Sequence, residues 1–422
     1  MYFFYKIITY IFYPFSKIYL YGRRLKNKEH PTRYKEKLSI TDSVRGKGFL
    51  TWIHVASVGE AMSVLPIIEN LIENKNISKI LLTSITLSSG KILEKKYKQN
   101  SKIVHQFLPL DIPLLTSRFL KHWKPNLSIF VDSEIWPNLI VEINKNKIPL
   151  ILINARITKK TFKKWRLVNN FSRKIFGKFD LCISSNKESE EFLKILGAKN
   201  IKNFGNLKYS NVKHNLSKDL SSSFLNKIKN KNLWCAASTH PTEEVFCGRT
   251  HLKIKKTYRN ILTIIIPRHI ERVEKIKSDL INLKLNVIFS SDLHLMNDDT
   301  DIVIINSYGE SSKFYNISKN VFLGKSTVES LKMDSGQNPI EAARLGCKVF
   351  HGPNVSNFNE IYLYLKTLGV SKEVNNDEEL SLSLVEEFKL DKAIDRKIVE
   401  KIENYGQNIF NNVIMELKKY IK

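Results

Sequence analysis

Near-continuous apolar runs alternate with helical patterns along most of the chain, in two successive series of six runs each. Strands that are apolar along their whole length are typical of a parallel sheet covered by helices on both faces. We therefore predict an α/β protein with two Rossmann-like, doubly wound domains. The predicted strands are residues 50–55, 80–84, 103–107, 127–131, 149–153 and 181–184, then 233–237, 261–266, 286–289, 302–305, 321–323 and 348–350.

The length of the chain agrees with two domains. A chain of 422 residues suits two hydrophobic cores of about 180–200 residues each. Between the two series the sequence becomes polar and rich in Ser, Asn and Lys, which predicts a linker at residues 208–230. The predicted domains are residues 30–207 and 231–400, followed by a C-terminal helix at 401–422. Ligands of such sheets bind where strands end and helices begin, so we predict a site in a cleft between the domains.

The chain is strongly basic, with 68 Lys and Arg against 41 Asp and Glu and a formal net charge of +27. Such a surface suits an anionic membrane or a phosphorylated substrate. No nucleic-acid-binding motif accompanies it, so we do not predict a nucleic-acid partner. A Lys-, Asn- and Ile-rich composition of the kind that AT-rich genomes encode is the simpler explanation for part of the charge. The four cysteines are far apart and form no Cys-x-x-Cys, which predicts neither disulfides nor a zinc site.

Residues 1–22 are rich in Tyr and Phe and are flanked by basic residues. The longest uncharged stretch is residues 7–16, whereas a membrane-spanning helix needs roughly 20 apolar residues. Aromatic side chains bounded by lysines suit a helix in the lipid headgroup layer. We predict a membrane-anchoring helix here, and the sequence leaves open whether it spans the membrane or lies on it.

One strand end in the first domain carries a candidate catalytic carboxylate. Residues 52–60 read as a buried strand, a Ser-Val-Gly turn and a helix start at Glu60. The helix dipole favours a carboxylate in the first turn, which predicts that Glu60 stays ionised at neutral pH. An ionised carboxylate in a cleft can accept a proton from a substrate hydroxyl. From the spacing alone, the simpler interpretation is that Glu60 only caps its helix.

Strand ends in the second domain carry residues suited to an anion or a nucleotide. Arg offers a planar fork for phosphate oxygens, neutral His can stack or donate, and Gly permits close backbone approach. Each motif alone also has an ordinary explanation as a helix cap or a solvated strand end. On consecutive strand ends, together with Gly324-Lys325-Ser326, they predict a nucleotide site. The candidate binding residues are Ser238, Thr239, His240, Arg268, His269, Gly309, Glu310, Ser311, Ser335, Gly336, Gln337, Asn338 and Glu341.

Several of these motifs, in this order and spacing, resemble those of the 3-deoxy-D-manno-oct-2-ulosonic acid (Kdo) transferases, bacterial enzymes that add Kdo to the lipid A precursor. The resemblance extends from about residue 30 to about residue 375. The motifs are residues 52–60, Glu134-Ile135-Trp136-Pro137-Asn138, Asn154-Ala155-Arg156, and residues 237–241, 267–269 and 336–341.

The resemblance implies a GT-B architecture, with an acceptor-binding first domain and a CMP-Kdo-binding second domain. It implies that Glu60 is the general base, that Glu134 stabilises the transition state, and that Glu341 binds the ribose of the donor. Lys208 and Arg268 would stabilise the charge on the departing CMP. No catalytic metal or other cofactor is expected.

The sequence departs from the family pattern at two donor motifs. The usual Gly-Gly-His-Asn-Pro loop is Ser335-Gly336-Gln337-Asn338-Pro339 here, and the usual Gly-Gly-Ser is Gly324-Lys325-Ser326. Gln337 can donate a hydrogen bond but cannot carry a charge. These differences put the details of donor binding in question.

The resulting functional prediction is an inverting transfer of Kdo from CMP-Kdo to a lipid A precursor in lipopolysaccharide synthesis. The enzyme would act at the cytoplasmic face of the inner membrane, on an anionic surface. The alternatives are a GT-B-shaped sugar-nucleotide epimerase and a non-catalytic descendant that binds nucleotide and membrane. The aromatic N-terminus disfavours the first alternative and the presence of Glu60 disfavours the second.

Overall fold

The computed structural model describes residues 1–210, 220–390 and 394–421. The chain forms two compact units, the first comprising Met1–Asn211 with Tyr405–Lys422 and the second Val212–Asn404. Each contains one seven-stranded sheet in which all paired strands are parallel. The prediction of two doubly wound α/β domains is therefore confirmed.

The first sheet has the strand order β3-β2-β1-β4-β5-β6-β7. Every residue of β1, Leu50–His54, is buried, in agreement with a sequence that is apolar there except for Thr51 and His54. The chain reverses its direction of winding between β1 and β4, which makes their carboxyl ends the switch point of the sheet. The strands are β1 Leu50–His54, β2 Lys79–Ser84, β3 Ile103–Phe107, β4 Leu127–Val131, β5 Leu150–Ala155, β6 Leu181–Ser184 and β7 Ile201–Asn203.

Between β1 and β7, every helix except α8 Asn169–Phe176 begins at a polar cap or at a proline. Ser57, Thr86, Thr158 and Asn186 each accept a hydrogen bond from a backbone N–H in the first turn of the helix that follows. Beyond the N-terminal pair, these helices are α3 Val58–Glu73, α4 Leu87–Tyr97, α5 Pro113–Trp123, α6 Pro137–Lys145, α7 Lys159–Arg166, α8 Asn169–Phe176 and α9 Lys187–Leu196.

The second sheet has the order β10-β11-β9-β8-β12-β13-β14, with its switch point between β8 and β12. Its strands are β8 Asn232–Thr239, β9 Ile261–Pro267, β10 Val287–Phe289, β11 Ile302–Ile304, β12 Asn320–Leu323, β13 Lys348–His351 and β14 Ser371–Glu373. The helices that follow the linker segment are α10 Ser222–Ile228, α11 Glu243–Lys255, α12 Val273–Ile281, α13 Ser311–Ile317, α14 Ile340–Arg344, α15 Asn359–Thr367, α16 Asp377–Leu390 and α17 Arg396–Lys418.

The N-terminus forms two helices, α1 Tyr2–Ile11 and α2 Tyr13–Leu25, rather than the one helix predicted at residues 1–22. Pro14 explains the break, because it cannot donate a backbone hydrogen bond to the preceding turn. Within residues 1–210, 220–390 and 394–421, no helix combines the length and the apolar character needed to cross a membrane.

The N-terminal helices are packed onto the first unit. Leu20 is buried with Leu38, Ile112 and Leu115 in a small hydrophobic cluster. The Tyr5 hydroxyl donates to the buried carboxylate of Asp111 over 2.8 Å. The segment is therefore integrated into the domain and does not form a separate arm.

The predicted linker at residues 208–230 differs from what the structure shows at both ends. Leu207–Tyr209 forms a short 3₁₀ helix in the first unit, and α10 occupies Ser222–Ile228. Residues 211–219 lie outside the described residues. The C-terminal helix begins at Arg396, five residues before the predicted start at 401, and the chain joins the first unit again from Tyr405.

Candidate active site

Three carboxylates lie at the switch point of the first sheet. Glu60 is in the first turn of α3, which follows β1, and Asp132 and Glu134 follow β4. β1 and β4 are paired in parallel, so both strands end at the same edge. The charges of Glu134 and Asp132 each raise the pKa of Glu60, which shows that the three groups interact. Glu60 and Glu134 are among the site residues predicted from the sequence, whereas Asp132 is not.

The carboxylate of Glu60 is held by the turn that precedes its helix. Oε2 accepts the backbone N–H of Ala56 at 2.7 Å, and Oε1 accepts the Ser57 hydroxyl at 2.9 Å. Ser57 in return accepts the backbone N–H of Glu60 at 3.3 Å. Glu60 therefore does take part in helix capping, as the simpler interpretation of the sequence held.

The expectation that Glu60 is fully ionised at neutral pH is wrong. Burial raises the pKa of Glu60 from 4.5 to about 7, and the charges of Glu134 and Asp132 add to the rise. These effects exceed the opposing hydrogen bonds from Ala56 and Ser57. A carboxylate with a pKa near 7 is well matched to accepting a proton at neutral pH.

Glu134 is fixed by two ring N–H groups. Its Oε2 accepts Nε1–H of Trp136 at 2.8 Å and lies 3.2 Å from Nε2 of His54. His54 is the last residue of β1 and is fully buried. From the sequence, His54 is predicted only as part of a strand, although a polar ring at the end of an apolar run is a signal for a functional residue.

Cationic residues of the first unit lie close to Asp132. Burial raises the pKa of Asp132, and the charges of Lys208 and Arg156 oppose the rise. The Arg156 backbone N–H donates to the Asp132 carbonyl, and the Asn154 side chain accepts the backbone N–H of Leu207 at 2.9 Å. Lys208 therefore belongs to the first unit and not to the linker predicted at residues 208–230, and its role toward the donor stays a prediction.

Unusual backbone conformations mark the carboxyl edge of each sheet. Asp132 and Asn154 have φ values of 63° and 51° in the first unit, and Ser238 and Lys325 have 55° and 59° in the second. Left-handed conformations of residues other than glycine are strained, and such strain clusters at functional sites. In each unit, these residues lie at or just after the carboxyl end of a strand that borders a candidate site.

In the second unit, His240 directly follows β8 and its ring contacts the backbone at the end of that strand. Thr239 and His240 are buried, and Nδ1 of His240 lies 3.0 Å from the Ser238 carbonyl oxygen. Burial lowers the pKa of His240, and the charges of Lys325 and His269 act in the same direction. His240 is thus a neutral ring at pH 7, which can donate or stack but cannot carry charge to a phosphate.

Arg268 and His269 follow β9, the strand beside β8. The Arg268 backbone N–H donates to the Thr239 carbonyl at 3.0 Å, which joins the ends of the two strands. Both side chains are exposed, and the His269 ring packs edge-on against that of His240 at 5.8 Å. The structure therefore brings these predicted residues together at one edge of the sheet.

A buried carboxylate that the sequence analysis missed organises the loop after β12. Glu243 is fully buried and accepts backbone N–H groups of Lys325, Ser326 and Thr327 at 2.7–3.0 Å. It also accepts the N–H of His240 at 2.9 Å. These loop amides are therefore occupied by the protein itself, which contradicts the prediction that this loop offers its backbone to a ligand.

The β11 loop supplies the next group of predicted residues. Gly309 has a φ of 83°, and no described atom lies within 4 Å of the position that a Cβ would take, so a ligand could approach here. Glu310 forms an ion pair with Lys313, and Ser311 starts α13. The Tyr308 hydroxyl donates to Glu271, which also pairs with His269. This loop is therefore linked to the one that follows β9.

The predicted donor loop is tied to the loop after β12. The Gly336 N–H donates to the Lys325 carbonyl at 2.7 Å, and the buried Ser335 hydroxyl lies 3.1 Å from that of Ser356. The Gln337 carbonyl accepts the Tyr362 hydroxyl at 3.0 Å.

The helix that follows the donor loop is short. The Asn338 side chain accepts the Ile340 N–H at 3.1 Å at the start of α14, which has only five residues. Glu341 lies in its first turn, where the sequence analysis placed the ribose carboxylate.

Together the two units define a two-Rossmann protein with carboxylates at one switch point and polar strand ends at the other. Its fold resembles that of UDP-GlcNAc 2-epimerase from Neisseria meningitidis, with a TM-score of 0.57 over 88% of this chain and 99% of that chain. The two sequences are only 14% identical, so this likeness concerns the fold alone.

Sequence comparison defines the family. Residues 32–211 match the family model described as 3-deoxy-D-manno-octulosonic-acid transferase (kdotransferase). The chain is 32% identical over 407 residues to the 3-deoxy-D-manno-octulosonic acid transferase of Rickettsia bellii, which covers 96% of this chain and 93% of the relative. It is 30% identical over 376 residues to that of Aquifex aeolicus, covering 89% and 94%. The chain belongs to the Kdo transferase family and is a glycosyltransferase.

Proposed function

We propose that this chain transfers Kdo from CMP-Kdo to a hydroxyl group of a lipid A precursor, with inversion at the anomeric carbon. The observation that carries the proposal is the carboxylate cluster at the first switch point, in a chain of the Kdo transferase family. There Glu60 has a pKa of about 7, next to Glu134 and Asp132. A cluster of this kind can remove a proton from an acceptor hydroxyl at neutral pH.

In this mechanism Glu60 accepts the acceptor proton while the hydroxyl oxygen attacks the anomeric carbon of Kdo. The bond to the CMP phosphate breaks as the new glycosidic bond forms, and the proton ends on Glu60. Glu134 is held by the Trp136 and His54 ring nitrogens and stabilises positive charge that develops on the sugar ring. No step is assigned to a metal ion or another cofactor.

The second unit is proposed to bind the CMP moiety at the ends of β8, β9 and β11. Arg268 directly follows β9 and its side chain is exposed, while its backbone N–H donates to the Thr239 carbonyl at the end of β8. Its guanidinium suits the phosphate that gains charge as CMP leaves. His240, neutral at pH 7, suits a hydrogen bond or stacking contact, and Glu341 is proposed to bind the ribose.

We further propose that the enzyme works on the cytoplasmic face of the inner membrane. Helices α1 and α2 expose large apolar side chains: Phe3, Phe4, Ile7, Ile8, Ile11, Phe15 and Ile18. Tyr2 of α1 stacks on Phe171, which in turn contacts Trp165 of the lysine-rich helix α7. Apolar side chains beside lysines suit an anionic lipid surface and a phosphorylated lipid acceptor.

The epimerase alternative is not favoured. It is supported only by the fold, since the sequence relatives over nearly the full length are transferases. Fold likeness at 14% identity does not carry an activity with it.

A direct assay tests the proposal. Purified protein in mixed micelles would be incubated with CMP-Kdo and a lipid A precursor, and the lipid would be analysed by mass spectrometry and CMP by chromatography. We expect Kdo-modified lipid and CMP in equal amounts. Without the lipid, CMP should form only at the rate of spontaneous CMP-Kdo hydrolysis. A protein that released no CMP above this rate, with the lipid unchanged, would contradict the proposal.

A further inference from the structure

Three fully buried side chains form a continuous hydrogen-bonded chain behind Glu134. Trp52 and His54 lie two residues apart on β1, so they point to the same face of the sheet. Thr83 lies on β2 directly opposite His54 in the strand register. Nε1 of Trp52 donates to Oγ1 of Thr83 at 2.8 Å, and this oxygen lies 2.9 Å from Nδ1 of His54. Nε2 of His54 then lies 3.2 Å from Oε2 of Glu134.

The positions of the protons follow from this chain. Trp52 can only donate, so Thr83 Oγ1 accepts from it and has one hydrogen left to give. If that hydrogen goes to Nδ1 of His54, the neutral ring carries its own proton on Nε2. In this arrangement Nε2–H donates to Oε2 of Glu134 over 3.2 Å.

Both hydrogen bonds that hold this carboxylate go to the same oxygen. Trp136 approaches Oε2 of Glu134 at 2.8 Å, beside the His54 contact at 3.2 Å. Two donors on one oxygen fix the position of Oε2, and among the described hydrogen bonds Oε1 is the oxygen that is left to turn to a substrate. The charge of Glu134 also contributes to the raised pKa of Glu60, so its position affects the proposed base.

We infer that His54 is a positioning residue for the transfer reaction. Its Nε2–H holds the Glu134 carboxylate in one orientation toward Glu60, while Thr83 and Trp52 hold the His54 ring. This inference rests on the proposed roles of Glu60 and Glu134. His54 itself is fully buried, so it acts through Glu134 and does not touch the substrate.

Two amide substitutions separate this role from that of an ordinary core histidine. In His54→Gln the side-chain amide nitrogen reaches the place of Nε2 and can still donate to Glu134. In His54→Asn the amide nitrogen reaches only the place of Nδ1, so the bond to Glu134 is lost. Both variants remove the imidazole and leave polar atoms in the same buried space.

The second unit contains a matched control. His251 is fully buried, with Nδ1 at 2.9 Å from Thr263 Oγ1 and Nε2 at 3.1 Å from Asp301 Oδ1. This is the same Thr–His–carboxylate arrangement, but Asp301 lies immediately before β11, at the edge opposite the strand ends that carry the candidate site. His251→Asn therefore imposes a comparable structural loss away from the reaction.

The experiment measures kcat and KM for both substrates, together with urea unfolding, for these three variants and for Glu134→Gln. A misplaced reacting group costs up to roughly 10²-fold in rate, so we expect His54→Asn to lower kcat by roughly 10–10²-fold with little change in KM. His54→Gln should recover most of that loss, and His251→Asn should lose stability but keep kcat.

The outcomes distinguish the inference from the proposed function. Equal kcat values for His54→Asn and His54→Gln, with Glu134→Gln inactive, would overturn the positioning role and leave the proposed function standing. Normal turnover in Glu134→Gln would instead overturn the role proposed for Glu134 itself. If His54→Asn failed to fold, a kcat of His54→Gln as low as that of Glu134→Gln would also count against the inference.

Discussion

Replacing Glu60 by Gln should stabilise the protein at alkaline pH while removing its activity. The pKa of Glu60 is raised from 4.5 to about 7 in the folded protein, so the fold disfavours the ionised carboxylate. A shift of this size corresponds to about 3 kcal/mol of stability that the ionised group costs. Below about pH 4.5 both states hold the proton and there is no cost. As pH rises only the unfolded state ionises at first, so stability falls and the cost is complete above about pH 7.

Gln cannot ionise and so escapes this cost. Its amide nitrogen cannot accept one of the two hydrogen bonds now given by Ala56 and Ser57, a loss of about 1 kcal/mol. We therefore expect Glu60→Gln to be about 2 kcal/mol more stable than the wild type at pH 8 and about 1 kcal/mol less stable at pH 4. Urea unfolding followed by tryptophan fluorescence at the two pH values measures both differences.

Turnover of Glu60→Gln should fall, although its stability at pH 8 should rise. Loss of a general base lowers kcat by at least ~10²-fold, while CMP affinity should stay unchanged because the nucleotide residues belong to the second unit. Thr158→Ala is the control, since it removes the first-turn cap of α7 and one hydrogen bond to the Thr161 hydroxyl, and should cost about 1 kcal/mol of stability without loss of turnover. A Glu60→Gln protein that is less stable than wild type at pH 8 and retains normal Kdo transfer would show that Glu60 is only a helix cap.

Three further predictions concern the donor site and the membrane surface. Arg268→Ala should weaken CMP binding by about 1.5–3 kcal/mol, the size of a hydrogen bond to a charged group; an unchanged calorimetric affinity would place the phosphate elsewhere. Glu243→Gln should destabilise the second unit by about 1.5–3 kcal/mol and weaken CMP binding, because an amide cannot accept all the N–H groups that converge on Glu243. Unchanged unfolding would mean that the loop after β12 does not depend on this carboxylate. The double substitution Phe4→Asp and Ile8→Asp should release the protein from anionic vesicles in flotation assays without lowering CMP affinity. Removal of residues 1–22 should in addition lower stability, because Leu20 is part of a buried cluster. Full flotation of the double variant would assign membrane binding to another surface.

The features that the sequence predicted well are those with a local or periodic signal. All twelve predicted strands are present, because buried parallel strands are apolar on both faces. The two missed strands, β7 Ile201–Asn203 and β14 Ser371–Glu373, are three-residue edge strands with a lysine in the middle. An edge strand needs no continuous apolar run, and a central lysine gives no signal for a strand.

The missed parts of the candidate site depend on contacts distant in sequence. His54 and Glu134 are 80 residues apart, and Glu243 binds amides more than 80 residues away. No spacing rule predicts such pairs. The pKa of Glu60 could not be predicted from its helix position either, because it is raised by burial and by the charges of Glu134 and Asp132, which a helix position does not reveal.

The first unit is discontinuous in sequence, since its last part is the C-terminal segment from Tyr405. Lys202 pairs with Glu416 at 2.8 Å, and the Tyr209 ring packs near that of Tyr405 at 6.2 Å. During synthesis the ribosome must therefore finish the whole second unit before the first can close its own structure. The proposed base lies in α3, yet the unit around it is complete only when the segment from Tyr405 has emerged. Truncated chains released before that point would lack a finished first unit, which would couple the proposed activity to synthesis of this segment.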